Sequence, residues 1–190
     1  MAKKTRPQPL DIARSQIEEA NLFGQDQEQL RHDMLAFIAA NHDALHRSCR
    51  PGHLTASAAI VDAGTQRTLL IHHAKLEKWL QPGGHADGDG DLGMVALKEA
   101  QEETGLTDLQ LITPAIDLDI HTIPERGNDP THLHYDVRFL VLTQGEPAPA
   151  HNHEATDARW MRPHDATISA NSDLHRLISR AALVARAVRL

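Results

Sequence analysis

The chain predicts an α+β fold: a mixed β-sheet flanked by helices, with a helical extension ahead of it. Two apolar stripes at helical spacing precede Arg50-Pro51-Gly52, and small and β-branched apolar runs follow it. Beyond that point strands and helices intermix without regular strand–helix–strand alternation, which favours a mixed sheet over a parallel one. The punctuation divides the chain into residues 1–50, a tail and two helices, and residues 51–190, the main domain.

In order, residues 1–9 carry three cations and two prolines and predict a frayed tail. Ile12, Ala13, Ile17 and Ala20 form one helical stripe, and Leu30, Met34, Phe37 and Ile38 a second, with Gly24 as the break. Each helix has a single apolar stripe and needs a partner surface: the pair is expected to serve as a lid or a homodimer contact, or to pack on the sheet of its own domain. Leu54–Val61 and Thr68–His72 read as strands around an Ala63-Gly64-Thr65 turn. Pro82-Gly83-Gly84 reads as irregular backbone. A helix is predicted over Leu92–Thr104, capped by Asp91 and stopped by Gly105. Strands follow at Leu111–Ile123, His132–Thr143 and Ala158–Met161, and an amphipathic helix closes the chain over Asp173–Leu190.

Composition excludes several function classes. A formal charge of −7 argues against a nucleic-acid polymer as partner. A single cysteine, Cys49, excludes an internal disulfide framework and a cysteine zinc cage. No stretch approaches the ~20 apolar residues of a membrane span, and no apolar run follows the basic first residues, so a cytoplasmic location is expected.

The informative segment is Lys98-Glu99-Ala100-Gln101-Glu102-Glu103-Thr104-Gly105-Leu106. On a helix, Glu99, Glu102 and Glu103 stand at i, i+3 and i+4, where like charges repel by ~0.2–0.5 kcal/mol per pair. The last turn of the helix disfavours anions by a further ~0.3–1 kcal/mol. A divalent cation removes both objections, because hard oxygen donors suit Mg²⁺. The alternative is a solvated acidic face with Lys98 offsetting Glu102.

Gly84–Leu106 resembles the signature box of the Nudix hydrolases, G-x5-E-x7-R-E-U-x-E-E-x-G-U, where U is a bulky apolar residue. Gly84, Glu99, Glu102, Glu103, Gly105 and Leu106 fall on its required positions, while Gly90, Lys98 and Ala100 depart from it. Trp79–Gly84 and Ala158–Pro163 also resemble strands of that family. The resemblance implies a Nudix-type α/β/α sandwich and hydrolysis, at the pyrophosphate, of a nucleoside-diphosphate-linked or related small diphosphate. It implies that Gly83, Glu99, Glu102 and Glu103 hold Mg²⁺ or Mn²⁺. Glu103 or the loop residue Glu154 is the implied general base. Lys98, replacing the family's arginine, is expected to buttress the loop through Asp87, Asp89 or Asp91. A catalytically weak Nudix-fold ligand sensor is the second functional reading. The family's substrate markers downstream of the box are absent, so the sequence names no substrate.

His132, His134, Asp136 and Arg138 alternate and share one face of a strand. Three readings stand for this row. One is a polar wall of the substrate cleft, with His85, His121, His132, His134 and Arg138 meeting the substrate. Another is a zinc site with His121 or His85 as a further ligand. The third is an exposed polar face.

Overall fold

The computed structural model describes residues 7–188 except 128, 151 and 154; most of the expected tail, residues 1–6, therefore lies outside the described residues. Two helices come first, α1 (Pro9–Glu18) and α2 (Gln25–Ala40). The strands β1 (Gly52–Asp62), β2 (Thr68–His73), β3 (Lys78–Leu80) and β4 (Gly83–His85) lead to α3 (Leu92–Thr104). The long strands β5 (Gln110–Ile123) and β6 (His132–Thr143) follow, then β7 (Ala155–Met161), the short α4 (Ala166–Ser169) and α5 (Ser172–Ala187).

All strands belong to one seven-stranded sheet ordered β3-β2-β1-β6-β5, with β4 beside β1 and β7 beside β2. β1 and β6 run parallel from Gly52↔Leu133 to Asp62↔Thr143, and the other pairings are antiparallel, so the sheet is mixed. One edge of β1 is divided: Ile60 and Val61 pair with β2, while Thr55–Ser57 pair with β4. Every residue of β1 is buried, which explains its run of small and β-branched side chains.

The two faces of β1 bury different layers. Leu54, Ala56, Ala58 and Ile60 share a core with Leu92, Val95, Ala96 and Ala100 of α3 and with Ile17, Met34 and Ile38 of the first two helices. Ala59 and Val61 share the other core with Leu174, Leu177, Ile178 and Ala181 of α5. This is the α/β/α sandwich. Fully burying one such aliphatic side chain contributes ~1.5–3 kcal/mol. The single stripes of α1 and α2 are thus covered by the chain's own sheet, and Phe37 stacks on Tyr135 with ring centroids 3.9 Å apart.

Two details differ from the sequence reading. Gly83–His85 is a strand, because Thr55–Ser57 supply a ladder edge and the absence of a side chain lets Gly83 close on Ser57. The turn of helix at Ala166–Ser169 was not expected. Among the described residues no helix is long and apolar enough to cross a membrane.

Candidate active site

α3 displays its carboxylates in a graded way. The Asp91 carboxylate accepts from the Met94 N–H at 3.2 Å and starts the helix, and the Gly105 N–H returns to the Gln101 carbonyl at its end. Glu103 is 3% exposed, and its Oε2 accepts the Gly83 N–H at 3.2 Å. Glu99 is half-buried against Gly84, where a Cβ would stand 2.5 Å from the Glu99 carboxyl carbon. A side chain at position 84 would displace the Glu99 carboxylate from this seat. Glu102 points to solvent and meets Lys98 Nζ at 3.6 Å. The three acids therefore fan from the protein interior to the surface beside the Gly83-Gly84 strand.

The loop between β4 and α3 is braced differently from expectation. Lys98 does not reach Asp87, Asp89 or Asp91; it lies along its own helix toward Glu102. The brace comes from the N-terminal extension. Arg47 donates to both Asp87 oxygens, at 2.8 and 2.6 Å. Gln16 of α1 donates to Asp91 Oδ1 at 2.9 Å and accepts the Leu92 N–H at 2.8 Å. The Pro9 carbonyl occupies the space that a side chain at Gly90 would need. The brace expected from Lys98 is supplied instead by contacts from outside Gly84–Leu106.

The polar row of β6 lies on the sheet face toward α5, and neighbouring strands extend it. Register places His53 beside His134, Thr55 beside Asp136, and Ser57 beside Arg138. Opposite them on β5 stand His121, Asp119 and Asp117. Asp136 and Arg138 are buried, and the cost of burying them is offset by pairing. Arg138 reaches Asp136 at 2.9 Å through Nε, Asp117 at 3.1 Å through Nη1, and Asp119 at 2.8 Å through Nη2. Thr55 and Ser57 hydroxyls donate to Asp136, and Arg176 of α5 reaches Asp117 at 2.8 Å and Asp119 at 3.3 Å. This corrects the expectation for Arg138: all three guanidinium nitrogens are committed to carboxylates, so it braces the sheet instead of facing a substrate. Burial alone would push the Asp119 carboxyl up, but the His121 hydrogen bond and the Arg138 and Arg176 charges hold it at about 2.

The histidines of the expected wall do come together. His53, His85, His121, His132 and His134 form a chain of ring contacts with centroids 4.8–5.4 Å apart. Burial, and then the neighbouring imidazoles, push His134 down to about 2 and His53 down to about 4, so both are neutral near pH 7. Glu154 lies outside the described residues. His53, Asp117, Asp119, Gln16 and Arg47 escaped the sequence reading. The alternation Asp117-Leu118-Asp119-Ile120-His121 was the available signal for the β5 residues, since it puts three polar groups on one strand face.

The NUDIX domain family model matches residues 51–181. Among solved structures, an Ap4A hydrolase of C. elegans in a binary complex is 19% identical with a TM-score of 0.58, covering 71% of this chain and 98% of its own. A dihydroneopterin triphosphate pyrophosphohydrolase of E. coli is 15% identical with a TM-score of 0.59, covering 69% of this chain and 95% of its own. A Nudix hydrolase from M. smegmatis is 18% identical with a TM-score of 0.53, covering 73% and 89% respectively. At these identities the likeness is one of fold.

Proposed function

The chain belongs to the Nudix hydrolase family, and from that premise we propose that it is a metal-dependent hydrolase cleaving a pyrophosphate bond in a nucleoside-diphosphate-linked or related small diphosphate. The observation that supports this reading most is the graded display of Glu99, Glu102 and Glu103 on α3, with Gly84 pressed against Glu99 and Gly83 bonded to Glu103. The two solved relatives whose names include a substrate are hydrolases of phosphoanhydrides, which agrees with it.

The donor chemistry suits a hard divalent cation, Mg²⁺ or Mn²⁺, because every side-chain donor is a carboxylate oxygen, although the three carboxylates do not all stand within 4.8 Å of one another in this structure. Glu99, Glu102, Glu103 and the Gly83 carbonyl would hold it. When bound, such an ion neutralises the non-bridging oxygens of a diphosphate and acidifies a water. Glu103 is a candidate base with its carboxylate fixed by the Gly83 N–H, and Glu154 is the other candidate. His85, His121, His132 and His134, expected as a substrate wall, stand on the sheet face toward α5, opposite the α3 carboxylates. The partner is a small molecule in the cytoplasm, neither a nucleic-acid polymer nor a membrane. A homodimer is tested by mass in solution.

The test is phosphate release, with Mg²⁺, across nucleoside diphosphate sugars, dinucleotides and nucleoside triphosphates. Turnover of at least one class is expected, falling by ~10²-fold or more in Glu103→Gln. Turnover indifferent to that change would move the chemistry to another site. Binding without turnover would identify a sensor. A loss of ~10²–10⁴-fold in kcat for Glu154→Gln, at unchanged metal affinity, would assign the base to that loop.

A further inference from the structure

We propose that His53, His132 and His134 form a second metal site, separate from the carboxylates of α3, that takes a transition-metal ion of the zinc type. Ligand nitrogens of these three residues lie within 4.8 Å of one another, and among the described residues they are the one group of three or more potential ligands so close. The spacing of two of them already matches coordination. His132 Nε2 and His134 Nε2 are hydrogen-bonded at 3.3 Å, a distance that also suits two ligands of one ion. Two nitrogens ~2.0–2.1 Å from a tetrahedral zinc stand ~3.3 Å apart.

A second observation is independent of that spacing. His53 is 3% exposed, and neither ring nitrogen has a hydrogen-bond partner. An unsatisfied buried polar group is costly and rare in folded proteins. Its ring is packed among imidazoles, 5.0 Å from His132 and 4.8 Å from His134 between centroids, with no carbonyl or hydroxyl taking its proton. A metal ion between the rings gives one His53 nitrogen the partner that the protein withholds.

The surroundings set the rings for such a role. His132 Nδ1 lies 2.9 Å from the Pro130 carbonyl, which can only accept, so Nδ1 carries the proton and Nε2 keeps its lone pair. His121 Nδ1 lies 2.9 Å from Asp119 Oδ2, the carboxylate–histidine arrangement that orients metal-binding imidazoles. His121 and His85 stand 5.4 and 5.0 Å from His134 between centroids and complete the ring around the trio. Charge agrees as well. Two guanidiniums, Arg138 and Arg176, face three buried carboxylates, Asp117, Asp119 and Asp136, leaving an excess negative charge beside the histidines. Neutral imidazoles select Zn²⁺, Ni²⁺, Co²⁺ or Cu²⁺ over Mg²⁺, which prefers oxygen. The two sites therefore differ in donor chemistry and lie on opposite faces of β4, where Gly84 faces α3 and His85 alternates to the other side.

The test uses the full chain and reads metal content, so it is independent of the hydrolase reading. Chelator-stripped protein is loaded with Zn²⁺ or Co²⁺ in excess Mg²⁺, gel-filtered, and assayed by elemental analysis and by the visible spectrum of Co²⁺. About one equivalent of metal is expected to stay bound, with the intense Co²⁺ absorption of a tetrahedral site. His134→Ala and His132→Gln should each lower retention at least tenfold, whereas Glu103→Gln should not change it. His132→Gln, at the start of its strand, serves if His134→Ala fails to fold. Retention unchanged in both histidine variants, retention lost only in Glu103→Gln, or no retention by the folded wild type would each overturn the site.

Discussion

Arg138 illustrates how a residue's neighbours decide its role. As one member of an alternating strand it could face water, ligand or core. The structure surrounds it with Asp117, Asp119 and Asp136, and it is 4% exposed. Arg138→Met should cost ~3–5 kcal/mol, because carboxylates are left buried without their cation. The loss would appear as a lower denaturant midpoint. Arg138→Lys should recover only part of it, since one ammonium cannot reproduce a three-way fork. The neighbouring imidazoles give a pH dependence whose sign follows from their lowered pKa values. Below the ordinary value of 6.5 the unfolded chain takes protons at His53 and His134 that the folded chain refuses, down to about 4 and about 2. Their contribution is thus intact above pH 6.5 and is lost as pH falls through that range. In chelator-treated protein the thermal midpoint should drop between pH 6.5 and 4, and His53→Gln should flatten the drop. A midpoint unchanged across that window would mean that the folded protein carries these rings charged.

At the scale of elements, the most consequential partnership is between α1 and the start of α3. Gln16 meets Asp91 and Leu92 across more than seventy residues of chain. Gln16→Ala removes one of the two acceptors of the Leu92 N–H, leaving the Gly90 carbonyl at 3.1 Å, together with the donor to Asp91, and should cost ~0.5–1.5 kcal/mol. It should also raise the Mg²⁺ concentration needed for half-maximal turnover, because the loop leading into the carboxylate helix loses its brace. Arg47→Ala breaks a more exposed pair and should cost no more than ~1 kcal/mol. Melting curves and a Mg²⁺ titration of both variants separate these effects. The helices themselves were legible beforehand. The stripe of Ile12, Ala13, Ile17 and Ala20, the Asp91 cap and the Gly105 stop are local signals; α3 lies where its cap and stop put it, while α1 ends at Glu18, short of Ala20. Lys98 was misread because the sequence offered nearby aspartates and no hint that Arg47 and Gln16 would already hold two of them.

For the whole molecule, the division between what could and could not be read follows sequence separation. Glu99, Glu102 and Glu103 are neighbours on one helix, so their grouping was visible as spacing. The histidine cluster needs four strands to meet, and the pairing of His53 with His134 depends on a parallel register that no short-range pattern encodes. The family model begins at residue 51, yet α1 and α2 contribute Ala13, Ile17, Met34 and Ile38 to the same core as Leu54, Ala96 and Phe139. The seat of Pro9 on Gly90 therefore restricts what position 90 can hold. Substitution toward a family's common residue often stabilises a protein by ~0.5–2 kcal/mol. Here Gly90→Glu, which would restore one position of the box pattern, must drive a side chain into the Pro9 carbonyl. It should lower the melting temperature and open the first forty residues to protease, and adding Lys98→Arg should not rescue it. With the Pro9 carbonyl seated against it, position 90 has no room for a side chain, so the contact that braces this loop also makes glycine a requirement there.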